Sequence, residues 1–431
     1  MGSNRGSVSF LLRIFLVCGL LYCMYLVTRQ AIATWYFRKH SPQDIQTAIK
    51  WDPGNPEYYD DLATLTHLYS SGGNPPDIVR LSEKATQLSP HNARYWADLG
   101  AAYEWEGRND DALRAFTRAR TLFPNSPEIN WQAANFYVRT RKISDALAAL
   151  QKVLLEDGTK ERQIFLLATN ATGDNQQILD EMLPPRAPVL LDYLNFQVET
   201  GRMEAAGSTW ARLLELKLPF DLPQSFPYLD ALIQHKDVDH LLEAWASLCA
   251  RFPPEVCARE SNPNLIANGD FAFPPLNGGL DWRVMPVEGA SVSQDATNGQ
   301  DGGKSLRIGF DGTQNLDYGH VLQYVPVTPN TSYTFSAHMR AQGITTDSGP
   351  RFEVLDAYDP SKLFLSTENV TGNSDWSAHR LEFKTSADTG LVVIKVARPV
   401  SHKFDNRLAG TLWISRVTLL PKQGAPPRVM P

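Results

Sequence analysis

Cysteine is scarce. Four occur in 431 residues, and no two of them form the paired C-x-x-C spacing of a zinc or redox site. Positive charge is not in surplus either: 41 Lys and Arg face 47 Asp and Glu, a formal net charge of -6. With no excess cation to neutralise phosphates, nucleic acid is not an expected partner. Nor does the chain carry an H-E-x-x-H helix or a G-x-S-x-G elbow. Residues 299–305 (GQDGGKS) look superficially like a phosphate loop. Their first glycine stands one position too close, and a strand is expected after Ser305 where a helix should cradle phosphate. His235 and His240 are five apart, about 140° round a helix, so they do not share a face for a metal. A glycosidase carboxylate pair has no local signature, and nothing singles one out. Asp110 and Asp111 follow Asn109 at the start of a helix, where carboxylates stabilise exposed N–H groups. These absences argue against an enzyme, and no cofactor is expected.

What is present begins with residues 10–27 (FLLRIFLVCGLLYCMYLV), an apolar run broken only by Arg13. At about 1.5 Å per residue it reaches roughly 27 Å, enough to cross a hydrocarbon core. Tyr22, Tyr25, Trp35 and Tyr36 supply aromatics for the interface. A cleaved signal peptide is the competing reading, because Ala31-Ile32-Ala33 has the small-x-small form of a cleavage site. Arg29 in that region and the length of the run favour a retained anchor. Arg5 and Arg13 are balanced by Arg29, Arg38 and Lys39, so charge alone does not orient it. Cys18 and Cys23 lie inside the run; Cys249 and Cys257, eight apart, remain. They either bridge, which fits an oxidising compartment, or stay as unpaired thiols.

A repeat follows. From Ala93, the segment ARYWADLGAAYEWEGRNDDALRAFTRARTLFP sets Trp96, Leu99, Gly100, Tyr103, Gly107, Ala112, Phe116, Ala119 and Pro124 at the spacing W-x2-L-G-x2-Y, A-x3-F, P. Shifted on by one repeat, Ala133, Ala134, Tyr137, Ala146, Leu150 and Val153 take the same places. Upstream, Tyr59, Leu62, Ala63, Ala85 and Pro90 fit if the loop at 70–74 holds extra residues. This pattern resembles the tetratricopeptide repeat, whose helical hairpins each bury an apolar face against the next. It is clearest over 56–156. Residues 41–52 look like the second half of a further hairpin, and helical periodicity persists in weaker form to 249. The expected fold class is therefore an α-solenoid over 41–249, a linker at 250–263, and an antiparallel β-sandwich over 264–421. A flexible tail at 422–431 completes the chain.

The sandwich is expected because helical periodicity gives way to short strands such as SYTFSAHM, where Tyr333, Phe335, Ala337 and Met339 alternate with polar residues. The order NLIANGDF, Trp282, GGKSLRIGF, VLQYVPVTPNTSYTFSAHMRA, Trp376 and GTLWISRVTL resembles the galactose-binding-like jelly roll of carbohydrate-binding modules. That resemblance implies a structural calcium between the opening loop and the closing strand, but Ala272 and Ser415 stand where acids are expected, which argues against it. It also implies a possible glycan as ligand. Aromatic faces flanked by polar groups suit sugars, and the candidates are Tyr318, His320, Gln323, His338, Arg340, Tyr358, Trp376, Arg398, Asp405 and Asn406. Trp282, Trp376 and Trp413 are equally readable as core, and Arg340 and Arg398 as strand-end surface charges.

In tetratricopeptide arrays the first helix of each hairpin lines a groove. The matching positions here are Glu57, Asp60 and His67, then Arg94, Ala101 and Glu104, then Glu128, Trp131 and Asn135. Trp131 is not required by the repeat and is the candidate anchor for a protein partner, unless it packs on the following hairpin. The expected function is a non-catalytic scaffold in a bacterial inner membrane, with its bulk in the periplasm. It would bind a protein partner and a polysaccharide. The alternatives are a polysaccharide-processing enzyme or a purely protein-binding adaptor.

Overall fold

Hairpins form where the sequence supplies a cap at one end and tolerates a left-handed residue at the turn. The computed structural model describes residues 4–69, 78–253 and 264–422. The 70–74 loop, most of the expected linker, Cys257 and the tail beyond Lys422 lie outside the described residues. Two units divide the chain, Met1–Pro184 and Pro185–Pro431.

The first unit holds α1 (Asn4–Phe37), α2 (Pro42–Trp51), α3 (Pro56–Tyr69), α4 (Ile78–Leu88), α5 (Ala93–Trp105), α6 (Asn109–Leu122), α7 (Pro127–Arg139), α8 (Ile143–Glu156), α9 (Glu161–Thr172) and α10 (Asn175–Glu181). Ser41 Oγ accepts from Asp44 N at 3.1 Å, Asn92 Oδ1 from Arg94 N at 3.0 Å, and Ser126 Oγ from Ile129 N at 3.3 Å. Each satisfies an N–H that the helix itself leaves without a partner. Between α5 and α6, Gly107 takes φ 75°, and Arg108 N donates to Tyr103 O at 2.8 Å. Between α7 and α8, Arg141 takes φ 60°, and Lys142 N donates to Tyr137 O at 2.8 Å. The same left-handed closure thus recurs with and without glycine. Gly100 is small for a packing reason: a Cβ there would lie 3.0 Å from the Phe116 ring. Phe116 in turn meets Phe136 of the next hairpin, with ring centroids 5.1 Å apart.

Residues Leu12–Phe37 of α1 are long and apolar enough, with mean hydropathy 1.6, to cross a membrane. Phe15, Leu20 and Val27 are exposed there, so none of the described residues of the unit covers them. The same helix then turns inward without a break. Ala33 is fully buried with Ile45, Ala48, Tyr58 and Leu62, flanked by Tyr36 and Phe37. Arg29 Nη2 lies 3.4 Å from Asp52 Oδ1. The half-hairpin expected at 41–52 is α2, and the end of α1 is its other half.

The second unit opens with α11 (Ala187–Glu199), α12 (Met203–Glu215), α13 (Phe226–Gln234) and α14 (Val238–Arg251). The repeat's turn returns here: Gly201 takes φ 70° with Arg202 N donating to Gln197 O at 2.8 Å, and Lys236 takes φ 61° with Asp237 N donating to Leu232 O at 2.9 Å. The unit boundary therefore falls inside the stretch of helices. Cys249, on α14, is disulfide-bonded.

The strands are β1 (Arg283–Val284), β2 (Ala290–Asp295), β3 (Ser305–Asp311), β4 (Tyr318–Pro326), β5 (Ser332–Ile344), β6 (Arg351–Asp356), β7 (Phe364–Ser366), β8 (Gly372–Lys384), β9 (Leu391–Arg398) and β10 (Ala409–Pro421). They form two antiparallel five-stranded sheets, ordered β1-β4-β9-β6-β7 and β2-β3-β10-β5-β8. The core between them includes Trp282, Phe335, Phe352, Ile394 and Ile414. Opening and closing segments are stitched together. Asn264 Oδ1 accepts from Leu419 N at 2.9 Å, and Val417 N donates to Gly269 O at 2.8 Å.

The loop before β1 packs on α13 and α14. A Cβ on Gly278 would come within 2.1 Å of the Phe226 ring, and one on Gly279, at φ 58°, within 2.1 Å of Trp245. Arg283 Nη2 pairs with Asp230 Oδ1 at 2.5 Å. Gly279→Val is expected to lower stability by about 2–4 kcal/mol in denaturant titration and to expose α13–α14 to protease. Gly319→Ala, whose added methyl meets nothing within 4 Å, is the control.

Candidate functional site

Three helices, α3, α5 and α7, present the expected groove positions. Asp60 is 1% exposed, and neither of its carboxylate oxygens accepts a hydrogen bond. Arg94 Nη2 stands 3.4 Å from Asp60 Oδ2, while Arg94 Nε stands 3.5 Å from Asp98 Oδ2. Burial, reinforced by Asp98, pushes the Asp60 carboxyl up to about 7; Arg94 opposes the shift, and Asp61 and Glu57 add to it. Asp98 is raised in the same direction, again chiefly by burial.

Glu57, Asp60 and Arg94 therefore do come together, with Asp61 and Asp98 as members that the repeat rule did not supply. Asp98 sits one helical turn from Arg94, the spacing that could have signalled it. Glu128 is exposed and lies close enough to act on Asp98. Glu104 is occupied differently: Arg139 grips it bidentately, Nε to Oε1 at 2.6 Å and Nη2 to Oε2 at 2.8 Å, tying α5 to α7. Trp131 is half-buried, with Lys160 Nζ 6.0 Å from its ring centroid, and Asn135 Nδ2 donates to Trp131 O at 2.8 Å. Ala101 is exposed; nothing is described of the His67 side chain.

A carboxyl whose folded value rises from 3.8 to about 7 favours the folded state while it is protonated in both states, and costs stability once the unfolded chain ionises. The array should therefore lose stability as pH climbs through that window and level off above it. Thermal melts of the full chain across this range should show the fall, and Asp60→Asn should flatten it. The same slope in the variant would contradict the assignment.

The ten sugar candidates do not form one site. Tyr318, His320 and Gln323 lie on β4, Arg398 ends β9, and Tyr358 follows β6, all on one sheet; His338 and Arg340 on β5 and Trp376 on β8 belong to the other. Three have no surface to offer. Tyr318 is buried against Phe310; Gln323 exchanges hydrogen bonds with the Ala267 backbone at 3.0 and 2.9 Å. Arg398 is fully buried rather than a strand-end surface charge, because the loops around it converge their acceptors on its guanidinium. It donates to Ser348 O, Asn315 Oδ1, Leu316 O, Thr346 Oγ1 and Asn406 O. The remaining seven reach solvent. Tyr358 has Lys236 Nζ 5.3 Å from its ring, and Asp405 and Asn406 stand on the loop that Arg398 braces.

Of the three tryptophans, Trp282 is core, Trp376 is half-buried on the edge strand β8, and Trp413 on β10 is buried as well, outside the cluster that holds Trp282. Arg340 roofs Trp413 at 5.3 Å, and Trp413 Nε1 donates to Asp295 Oδ2 at 3.0 Å.

The residues at the implied calcium site do not fit the ion. Lys304 Nζ donates to Ala272 O at 2.7 Å, and Ser415 Oγ donates to Lys304 O at 3.0 Å. An ammonium thus satisfies a carbonyl of the opening loop, and the closing strand offers a hydroxyl already spent as a donor. Among the described residues, no three His, Cys, Asp or Glu gather as a metal cluster. Calcium and chelator should leave the melting temperature unchanged, whereas Lys304→Met should lower it. A rise with calcium would reverse this conclusion.

Comparison with known proteins bears on the array first. Residues 105–171 match the Tetratricopeptide repeat family model, a stretch from the end of α5 through most of α9. The described helices form a tetratricopeptide-like array followed by an antiparallel β-sandwich. Over 100 residues the chain is 31% identical to the Cytochrome c-type biogenesis protein CycH of Pseudomonas aeruginosa, a match spanning 23% of this chain and a quarter (25%) of that protein. Among solved structures, the carbohydrate-binding module CBM4 aligns at 20% identity over 36% of this chain and 99% of its own, with a TM-score of 0.28. TmCBM61, in complex with β-1,4-galactotriose, aligns at 16% identity over 37% of this chain and 100% of its own, with a TM-score of 0.27. No residue role is carried across from them.

Proposed function

We propose that the chain is a non-catalytic scaffold tethered to a bacterial inner membrane, holding a protein partner in the groove of its array while its sandwich meets a glycan in the periplasm. One observation carries this reading: α1 runs unbroken from its exposed apolar stretch into the buried first hairpin, so the array is tied directly to the anchor. Cleavage after Ala33 would sever that hairpin's first helix, which favours retention of the anchor. The disulfide at Cys249 favours an oxidising compartment. Assembly or export of a cell-surface polysaccharide is the setting that joins the two binding parts.

The glycan reading draws on single candidates that keep solvent access without gathering at one place, with Tyr358 after β6 and Trp376 on β8 of the opposite sheet as the aromatic members. Its rival is a polysaccharide-processing enzyme with its site in the sandwich. A glycan array probed with the full chain in detergent separates the two, since binding without product supports the scaffold and product release supports the enzyme.

For the groove, Trp131→Ala should cut crosslinked partner recovery from membranes by about tenfold while leaving the melting temperature close to normal. Undiminished recovery would remove Trp131 from the site.

A further inference from the structure

Asp60 is an expensive residue to bury. Its carboxylate is almost wholly removed from water and accepts no hydrogen bond, and its nearest cation is held at 3.4 Å. Charge-assisted hydrogen bonds close to about 2.7–2.9 Å when their geometry is satisfied. Arg94 cannot satisfy both acids together, because its side chain is 66% exposed and reaches Asp60 and Asp98 only at 3.4 and 3.5 Å. Glu57 and Asp61 add to the field around Asp60, and Glu128 and Asp61 add to that around Asp98, so Arg94 answers more than one acid. A cleft that Arg94 and Glu128 help to line, with Ala97, Phe123, Ile129 and Gln132 among its other walls, adjoins the Arg94 pair without including Asp60 or Asp98, and Phe123 is 57% exposed. Apolar surface beside carboxylates suits a long cationic side chain, whose methylene stem needs cover as much as its head needs an anion.

We propose that Asp60 and Asp98 form the seat for a lysine or arginine side chain of the partner protein, with Arg94 as the resident counter-ion that holds the site until that side chain arrives. This rests on the reading of the groove as the place where a protein segment binds. Anionic partners are disfavoured by the same field. A metal ion is a poor occupant, since the described residues hold no cluster of three ligating side chains. The seat trades stability for binding. Removing the Asp60 charge should make the free array more stable and the complex weaker, whereas removing Arg94 should free the acids for the incoming cation.

The test uses the full chain in detergent and three short fluorescent peptides, built on lysine and alanine, serine and glycine, or glutamate and alanine, read by anisotropy. The lysine peptide should bind best. Asp60→Asn with Asp98→Asn should weaken it at least about tenfold. Asp145→Asn with Glu204→Gln removes the same charge from exposed positions on α8 and α12 and should change affinity by no more than about twofold. Arg94→Gln should tighten binding about threefold, and Asp60→Asn alone should raise the melting temperature, which guards against loss of fold as an explanation. The proposal is overturned if the double Asn variant matches the exposed control, or if Arg94→Gln weakens binding. Trp131-dependent binding of the neutral or acidic peptide in preference to the lysine peptide would keep the groove and overturn the cationic seat. Binding by none of the three would overturn the seat as well.

Discussion

A helix whose exposed apolar run gives way to polar surroundings must either end or find cover for its next turns, and α1 finds cover. Ala33, Tyr36 and Phe37 continue the helix of the exposed apolar run and are packed by Ile45, Ala48, Tyr58 and Leu62, the residues that start the array. Each later hairpin of the first unit needs the one before it as a wall. The order of packing therefore starts at α1: α2 closes against it, α3 against both, and the ring pair Phe37–Tyr58 at 4.8 Å joins helix to hairpin. Arg29 with Asp52 and Lys39 over the Trp35 ring at 3.8 Å place charge and aromatics where the apolar stretch gives way. The end of α1 is consequently part of the core of the first hairpin.

The groove and the sandwich differ in physical character. The groove is electrostatically unbalanced at its floor, with a buried carboxylate that the free chain satisfies poorly. In the sandwich, several buried or loop-bracing polar groups are satisfied internally, although the Tyr318 hydroxyl and Trp282 Nε1 are buried without a partner among the described residues. Arg398 holds the loops at one end, Gln323 holds the opening segment, and Lys304 fills the role that a cation would otherwise take.

Much of the array was legible because its determinants are local. Trp96, Gly100, Tyr103 and Phe116 are fixed by how closely two neighbouring helices approach, and that spacing survives in sequence. Glycine punctuation is lost where Arg141 and Lys236 close turns that Gly107 and Gly201 close elsewhere, while the backbone geometry remains. In the sandwich, alternation identified β5 correctly: Tyr333, Phe335, Ala337 and Met339 all face the core. Parity failed on β4, where an irregularity between Tyr318 and Val321 turns both Tyr318 and Gln323 inward although an odd number of positions separates them. Arg398, Lys304 and the roof over Trp413 depend on loops far apart in sequence, which no local pattern encodes. Asp98 needed the neighbouring helix to reveal what Arg94 is paired with.

The account stands on the rigidity of the junction between anchor and array. Nitroxides at Val27 and Lys50, in a chain carrying Cys18→Ala and Cys23→Ala and reconstituted in lipid nanodiscs, would report it through their dipolar coupling. A single narrow distance distribution, unchanged when a partner is bound, is the expected result. A broad or multiply peaked distribution would mean that α1 hinges away from α2, and would contradict an array built on its own membrane helix.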